Sequence, residues 1–207
     1  MPVIVAMTGA SGVIYGVRLL EALRTLDTDT HLVMSRSAAL TLRLETDLEP
    51  EDVHALATEV HPVSDIGASI SSGSFRTDGM VVAPCSIKTL SGIVNSYEDN
   101  LIVRAAGVVL KERRRLVLMI RETPLHLGQL RLMTSAAEIG ATVFPPVPAF
   151  YTRPQSVDEL VDQTVARVLD QLGFDAPAHR WSGVRDHLER RSGAPSEDDP
   201  FNGPSGP

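Results

Sequence analysis

Hydroxyls, cations and one carboxylate recur in this sequence at the points where short apolar runs end. Ser11, Ser35, Ser86 and Thr89 supply the hydroxyls, Lys88 and Arg121 the cations, and Glu122 the carboxylate. Such a set suits a phosphate, whose oxygens take hydroxyl and backbone donors and a nearby positive charge. A metal site would instead gather His, Cys or carboxylate ligands. The histidines, His31, His54, His61, His126, His179 and His187, are scattered without metal spacing, and most are expected to face solvent or cap helices. No metal ligands are assigned. The single cysteine, Cys85, excludes an intrachain disulfide and a multi-Cys metal site. Closing a buried strand, it reads as a small core residue more readily than as a nucleophile.

The first of these groups sits on the clearest unit of the chain. Val3 to Met7 is a five-residue apolar run, Thr8-Gly-Ala-Ser-Gly12 is a turn of small residues, and Val13, Val17, Leu20 and Leu23 recur at helical spacing up to Leu26. Strand, tight loop and helix follow, with a helix N-terminus over the strand's end. Small residues at Gly9, Ala10 and Ser11 allow close approach, and the positive end of the helix favours an anion. A Walker loop would end in Gly-Lys-Ser/Thr. A dinucleotide fingerprint would need Gly where Ser11 stands and an acidic residue closing the second strand, whereas His31 to Met34 ends in Ser35. A mononucleotide such as FMN is therefore expected in preference to NAD or ATP. A bare strand-to-helix turn without ligand is the alternative.

The pattern repeats along the chain. Ser37 to Leu44 predicts a helix, and Glu49-Pro-Glu-Asp52 opens another that runs to about Glu59. Ile66 to Ser74 is rich in Gly and Ser and reads as a loop or lid. Met80 to Ala83 is a strand ending in Pro84-Cys-Ser86, Ile87 to Val94 and Asn100 to Arg113 are helices, and Leu116 to Ile120 is a strand running into Arg121-Glu-Thr-Pro124. Leu127 to Ile139 is helical, Thr142 to Phe144 is a strand, and Ser156-Val-Asp-Glu159 is a capping box opening a helix to Leu172. Strands alternating with helices imply a doubly wound α/β fold, a Rossmann- or flavodoxin-like three-layer sandwich whose mostly parallel sheet carries helices on both faces. Ligands of such sheets lie outside the carboxyl ends of the strands, which gathers Gly9–Ser11, Ser35, Pro84–Thr89 and Arg121–Glu122 around one crevice.

At 207 residues the chain suits one main domain, residues 1–172, followed by an extension at 173–191 and a Gly-, Pro- and Ser-rich tail at 192–207 expected to be disordered. A net charge of −7 argues against nucleic acid or anionic membrane as main partner, and aromatic residues at 4% leave little for a base-stacking platform. No apolar run approaches the ~20 residues of a membrane span, and with the first strand so near the start no signal peptide is expected. A cytoplasmic protein is expected.

Taken together, Met7-Thr-Gly-Ala-Ser-Gly12, Ser72-Gly-Ser-Phe75, Ala83-Pro-Cys-Ser86 with Lys88-Thr89, Asp99-Asn-Leu101, Leu110-Lys-Glu-Arg113, Arg121-Glu-Thr-Pro124 and Pro145-Pro-Val-Pro-Ala-Phe-Tyr151 resemble the flavin prenyltransferases of the UbiX/Pad type. The likeness runs in order over roughly residues 3 to 172. It implies an enzyme that joins a dimethylallyl group from dimethylallyl phosphate to N5 and C6 of reduced FMN, making the cofactor of UbiD-type decarboxylases. It also implies a homo-oligomer, such as a dodecamer, with sites at subunit junctions.

Position by position, the resemblance assigns FMN to Gly9, Ala10, Ser11, Ser35, Ser86, Ile87, Lys88, Thr89 and Arg121. It assigns the dimethylallyl phosphate to Tyr151 and Arg167, and the charges around it to Lys111, Arg104 and Glu122. Cations aimed at a departing phosphate can replace a metal. Ser11, Glu45, Glu122 and the released phosphate are candidates for the proton steps. On their own, Arg167 reads as a solvated arginine beside Gln163, Thr164 and Gln171, Lys111 as a basic helix end, and Glu45 as a helix-end carboxylate facing water. Trp181 reads as a packing anchor, suited to a neighbouring subunit.

Flavin-dependent cysteine decarboxylases are the runner-up. They are expected to carry Pro-Ala-Ser-Ala-Asn-Thr where this chain has Pro84-Cys-Ser-Ile-Lys-Thr89, and Pro-x-Met-Asn where it has Arg121-Glu-Thr-Pro124. A flavin-delivering protein without catalysis is a further alternative, and a direct aromatic-acid decarboxylase finds no ring-carboxylate site in the sequence.

Overall fold

A computed structural model describes residues 1–176 and 180–184. Its sheet is six-stranded and parallel throughout, in the order β3-β2-β1-β4-β5-β6. The strands are β1 (Val3–Met7), β2 (Thr30–Met34), β3 (Glu59–Pro62), β4 (Gly79–Cys85), β5 (Arg115–Ile120) and β6 (Thr142–Val143). The helices are α1 (Ile14–Thr25), α2 (Arg36–Glu45), α3 (Pro50–His54), α4 (Ile87–Val94), α5 (Leu101–Lys111), α6 (Leu127–Glu138) and α7 (Val157–Leu172).

β1 and β4 are buried along their whole length, which is why both read as unbroken apolar runs rather than alternating ones. Ile4, Ala6, Met80 and Val82 point into the core shared with α4, α5 and α6, and their neighbours along each strand face the opposite layer. There α1 and α7 pack on each other and on the sheet. Gly16 makes that contact close: a Cβ at this position would stand 2.4 Å from the Ala83 carbonyl oxygen and 2.9 Å from the Met7 side chain. Arg18 of α1 ties the two helices further, reaching Asp158 at 3.3 Å and Asp162 at 3.5 Å.

Several sequence expectations need correction. The helix expected from Glu49 to about Glu59 is a five-residue α3, and Glu59–Pro62 pairs with β2 as the edge strand β3. Two apolar residues in four gave that strand no periodic signature. At α7, Ser156 caps as expected by accepting the Glu159 N–H (3.1 Å), but the Glu159 carboxylate reaches the Gln155 N–H, not that of Ser156. Thr164, expected on a polar face with Arg167, is 5% exposed and packed inside.

The histidines depart most. His126 caps α6, accepting the Gly128 N–H at 3.0 Å, as a helix-cap histidine should. His31 and His61 are buried instead, 7% and 6% exposed, their rings stacked at 5.1 Å with Nδ1 of His31 2.9 Å from Nε2 of His61. Their separation in sequence hides this, because β2 and β3 bring them together only through pairing the sequence did not reveal. Residues Met1–Pro177 form one compact unit and Ala178–Pro207 a second. Within the second, Trp181 is 51% exposed. The disordered tail expected at 192–207 lies outside the described residues. Among the described residues no helix is long and apolar enough to cross a membrane.

Candidate functional site

Strand order reverses between β1 and β4, and the ends of these two strands are latched together. The buried Thr8 hydroxyl donates to the Pro84 carbonyl (2.8 Å) and accepts the Ser86 N–H (2.8 Å). On the other side of β1, the Ser35 N–H donates to the Met7 carbonyl (3.0 Å). Three chain segments thus leave the sheet from fixed positions at its topological switch point.

Each then turns into a helix, or faces one, at the same crevice. Ser35 caps α2, its hydroxyl accepting the Ala38 N–H (3.1 Å), and Ser86 caps α4 by accepting the Thr89 N–H (3.3 Å). Asn100 caps α5, its side-chain oxygen accepting the N–H groups of Ile102 (3.0 Å) and Val103 (3.2 Å). All three caps line one cavity of about 200 Å³, together with Thr8, Gly9, Ser37, Lys88, Thr89, Asp99 and the apolar Val63, Ile102 and Val103. First-turn N–H groups lack intrahelical partners, so three positive helix ends and the Lys88 ammonium address one space. Gly9 fits that geometry because a Cβ there would stand 2.2 Å from Cβ of Ser37. The donor set fits a phosphate monoester, and Asp99 adds an acceptor suited to a hydroxyl.

Of the residues expected to hold the flavin, Gly9, Ser35, Ser86, Lys88 and Thr89 line this cavity, whereas Ala10, Ser11, Ile87 and Arg121 stand outside its lining. Ser37, Val63, Asp99 and Asn100 also line it and are not among the residues the sequence singles out for the flavin. Asp99-Asn100 had a signal, since Asn directly before an apolar helix is a cap pattern; Val63 had none once β3 was overlooked.

The first loop differs from its expected role. Val13 stands at the N-cap of α1 without a side-chain cap of its own, and the carboxylate of Glu45, at the end of α2, accepts the N–H groups of Gly12 (2.8 Å) and Val13 (3.2 Å). The anion at α1 is therefore supplied by the chain itself, and Glu45 does not simply face water. Ser11 is exposed beside it.

Arg121 leaves β5 with its N–H on the Cys85 carbonyl (3.3 Å), and its guanidinium lies close to Tyr15. Burial raises the Tyr15 phenol above its usual pKa, outweighing the opposing influence of Arg121 and a hydrogen bond with Thr164, so the phenol stays protonated. Glu122 is exposed and accepts the Thr123 N–H (3.2 Å). Burial pushes the Cys85 thiol up to about 12, which fits its expected place in the core.

Arg104, Lys111, Tyr151 and Arg167 are absent from the cavity lining. Arg104 donates to the Ser71 carbonyl (3.1 Å) and pairs with Glu98 (2.7 Å), and Lys111 pairs with Glu112 (2.6 Å) beside Gly73. Arg114 adds bonds to the carbonyls of Phe75 (2.5 Å) and Gly73 (2.9 Å), and Ile70 is buried. The Gly- and Ser-rich segment expected as a loop or lid is accordingly a loop strapped to α5. Arg167 pairs with Asp170 on α7, and the Tyr151 hydroxyl lies 3.5 Å from Nε2 of Gln163, also on α7. Within one chain Arg104 and Lys111 lie at the α5 loop, and Tyr151 and Arg167 at α7.

Comparison with known proteins agrees with this architecture. The sequence profile of the Flavoprotein family matches residues 1–169. Flavin prenyltransferase UbiX of Escherichia coli K12 is 64% identical over 185 residues, covering 87% of this chain and 98% of that protein. The crystal structure of AnUbiX (PadA1) in complex with FMN and dimethylallyl pyrophosphate superposes with a TM-score of 0.87 at 52% identity, over 88% of this chain and 97% of that one. A dodecameric FMN-dependent Ubix-like decarboxylase from Escherichia coli O157:H7 has a TM-score of 0.86 at 54% identity, over 88% of this chain and 100% of the other.

Proposed function

The chain belongs to the Flavoprotein family, among its flavin prenyltransferases, and we propose that it transfers a dimethylallyl group from dimethylallyl phosphate to N5 and C6 of reduced FMN. The convergence of the α2, α4 and α5 N-termini on one hydroxyl-rich cavity carries the flavin half of this reading. Ser35, Ser37, Ser86 and Thr89 would hold the phosphate of FMN, Lys88 would balance its charge, and Asp99 would accept a ribityl hydroxyl. The reduced flavin supplies the nucleophilic N5 and C6. Ala10 and Ser11 of the first loop and Arg121, outside the lining of that cavity, would border the ring.

For the donor half, leaving phosphate concentrates negative charge as the allylic carbon becomes cation-like. Arg104, Lys111, Tyr151 and Arg167 are the groups suited to receive it, without a metal. Their separation into two sets within one chain supports a site completed between copies, in which the α5 loop of one subunit meets α7 of another. A homo-oligomer follows from this reading, and the dodecameric relative is in keeping with it. Glu45, Ser11 and Glu122 would handle the protons, those that leave N5 and C6 as the two bonds form and the one that the dimethylallyl double bond takes up as it closes onto C6. The product would pass to a UbiD-type decarboxylase.

Anaerobic incubation with reduced FMN and dimethylallyl phosphate, followed by mass measurement of the released flavin, tests the proposal. A gain of one C5 unit is expected. Unchanged FMN with full retention of flavin would leave only a carrier.

A further inference from the structure

We propose that His31, His61 and Glu59 form a zinc(II) site that fastens the edge strand β3 to β2, separate from the flavin cleft. β2 and β3 pair with His31 opposite Glu59 and Val33 opposite His61, so all three side chains lie on one face of the sheet. Nδ1 of His31 is 2.9 Å from Nε2 of His61, and the two Glu59 oxygens stand 3.6 Å from those same nitrogens, one each. Ligands around a tetrahedral ion with bonds of about 2.1 Å are separated by about 3.4 Å. Whichever Glu59 oxygen binds, it already stands close to that from one nitrogen, at 3.6 Å, and the three ligand atoms lie within 4.8 Å of one another. The two nitrogens need part by only about 0.5 Å to reach the tetrahedral spacing.

The surroundings favour an ion over a fortuitous contact. Both rings are buried, and Phe75 meets His31 edge-on at 4.8 Å, fixing its plane. Without an ion, one imidazole donates its N–H to the other. With an ion, that proton moves to the remote nitrogen of its own ring, both facing lone pairs turn to the metal, and Glu59 contributes the balancing negative charge. Two imidazoles and a carboxylate suit zinc, and the exposed Glu59 edge leaves its fourth position to water. An ion here would brace the strands that carry Ser35 and Val63 to the cleft. It would take no part in prenyl transfer, and the inference stands apart from the proposed activity.

The test is calorimetric titration of the untagged, chelator-stripped full-length chain with zinc(II), alongside Glu59→Gln and His61→Gln. One ion per chain should bind saturably to the wild type and raise its Tm. Glu59→Gln, an exposed and isosteric change, should weaken binding at least about tenfold, and His61→Gln should abolish it. Absence of saturable binding to the wild type overturns the site, as does binding that neither variant changes. Affinity untouched by Glu59→Gln overturns the three-ligand assignment even if His61→Gln fails to fold.

Discussion

The Glu45 carboxylate sits over the start of α1, accepting the Gly12 N–H at 2.8 Å and the Val13 N–H at 3.2 Å from the end of a different helix. It does what an N-cap does, across thirty-odd residues of chain, and so couples the first loop to α2. Glu45→Ala should cost about 1 kcal/mol of stability, the usual value of a cap. Glu45→Gln keeps one acceptor oxygen and should recover most of that. Denaturant unfolding beside prenyl-transfer turnover separates the roles: Glu45→Gln with wild-type turnover would remove this carboxylate from proton transfer and leave it a loop anchor.

Gly9→Ala should weaken FMN binding about tenfold or more, equivalent to about 1.4 kcal/mol, because the added methyl must displace Ser37 from the first turn of α2. Combining it with Ser37→Gly should restore part of the loss. Fluorescence titration decides this, and undiminished affinity in Gly9→Ala would mean that Ser37 does not hold the phosphate.

Arg167→Ala should lower kcat/KM for the dimethylallyl donor by one to two decades, the worth of a charge-assisted contact of about 1.5–3 kcal/mol, while FMN affinity stays near wild type. Tyr151→Phe should cost less, about 1 kcal/mol. Parallel loss of flavin binding and turnover in Arg167→Ala would refute its assignment to the prenyl phosphate.

Stability should fall with acid in a manner traceable to His31. Burial depresses its pKa, outweighing the attraction of Glu59 and Asp29, while His61 acts in the same direction as burial. The unfolded state then binds the proton more readily, so this contribution is complete above the unfolded value of about 6.5 and is lost as pH drops through the lower folded value. His31→Gln should flatten the Tm-versus-pH curve below about pH 6.5, measured with metal removed by chelator. A curve as steep as that of wild type would place the acid sensitivity elsewhere.

The layered fold and part of the cavity lining were legible because both are local. A buried strand, a small-residue or Ser turn and an amphipathic helix lie within twenty-odd residues of one another, and a capping serine announces itself in that context. Features made by pairing distant segments were not. Glu59–Pro62 has too few residues to show a period of two, so β3, the His31–His61 contact and Val63 all escaped together. Glu45 reads as a helix end or a proton-transfer candidate but not as a cap, since nothing in its neighbourhood says that the start of α1 lies above it. Tyr151 and Arg167 entered through family resemblance, and their place on the α7 side of the chain shows why spacing alone could not have recruited them.

Sheet order also governs how the chain is assembled as it is made. One neighbour of β1, β2, begins at Thr30, but the other, β4, begins only at Gly79. Until then β1, apolar on both faces, keeps the N–H and C=O groups of one edge unpaired, an adhesive surface on a nascent chain. The cleft cannot exist earlier, because the Thr8 latch needs Pro84 and Ser86 and the α5 cap needs Asn100. Competence to bind flavin thus arises together with closure of the sheet, and a translation intermediate halted short of β4 is the species a chaperone would have to shield.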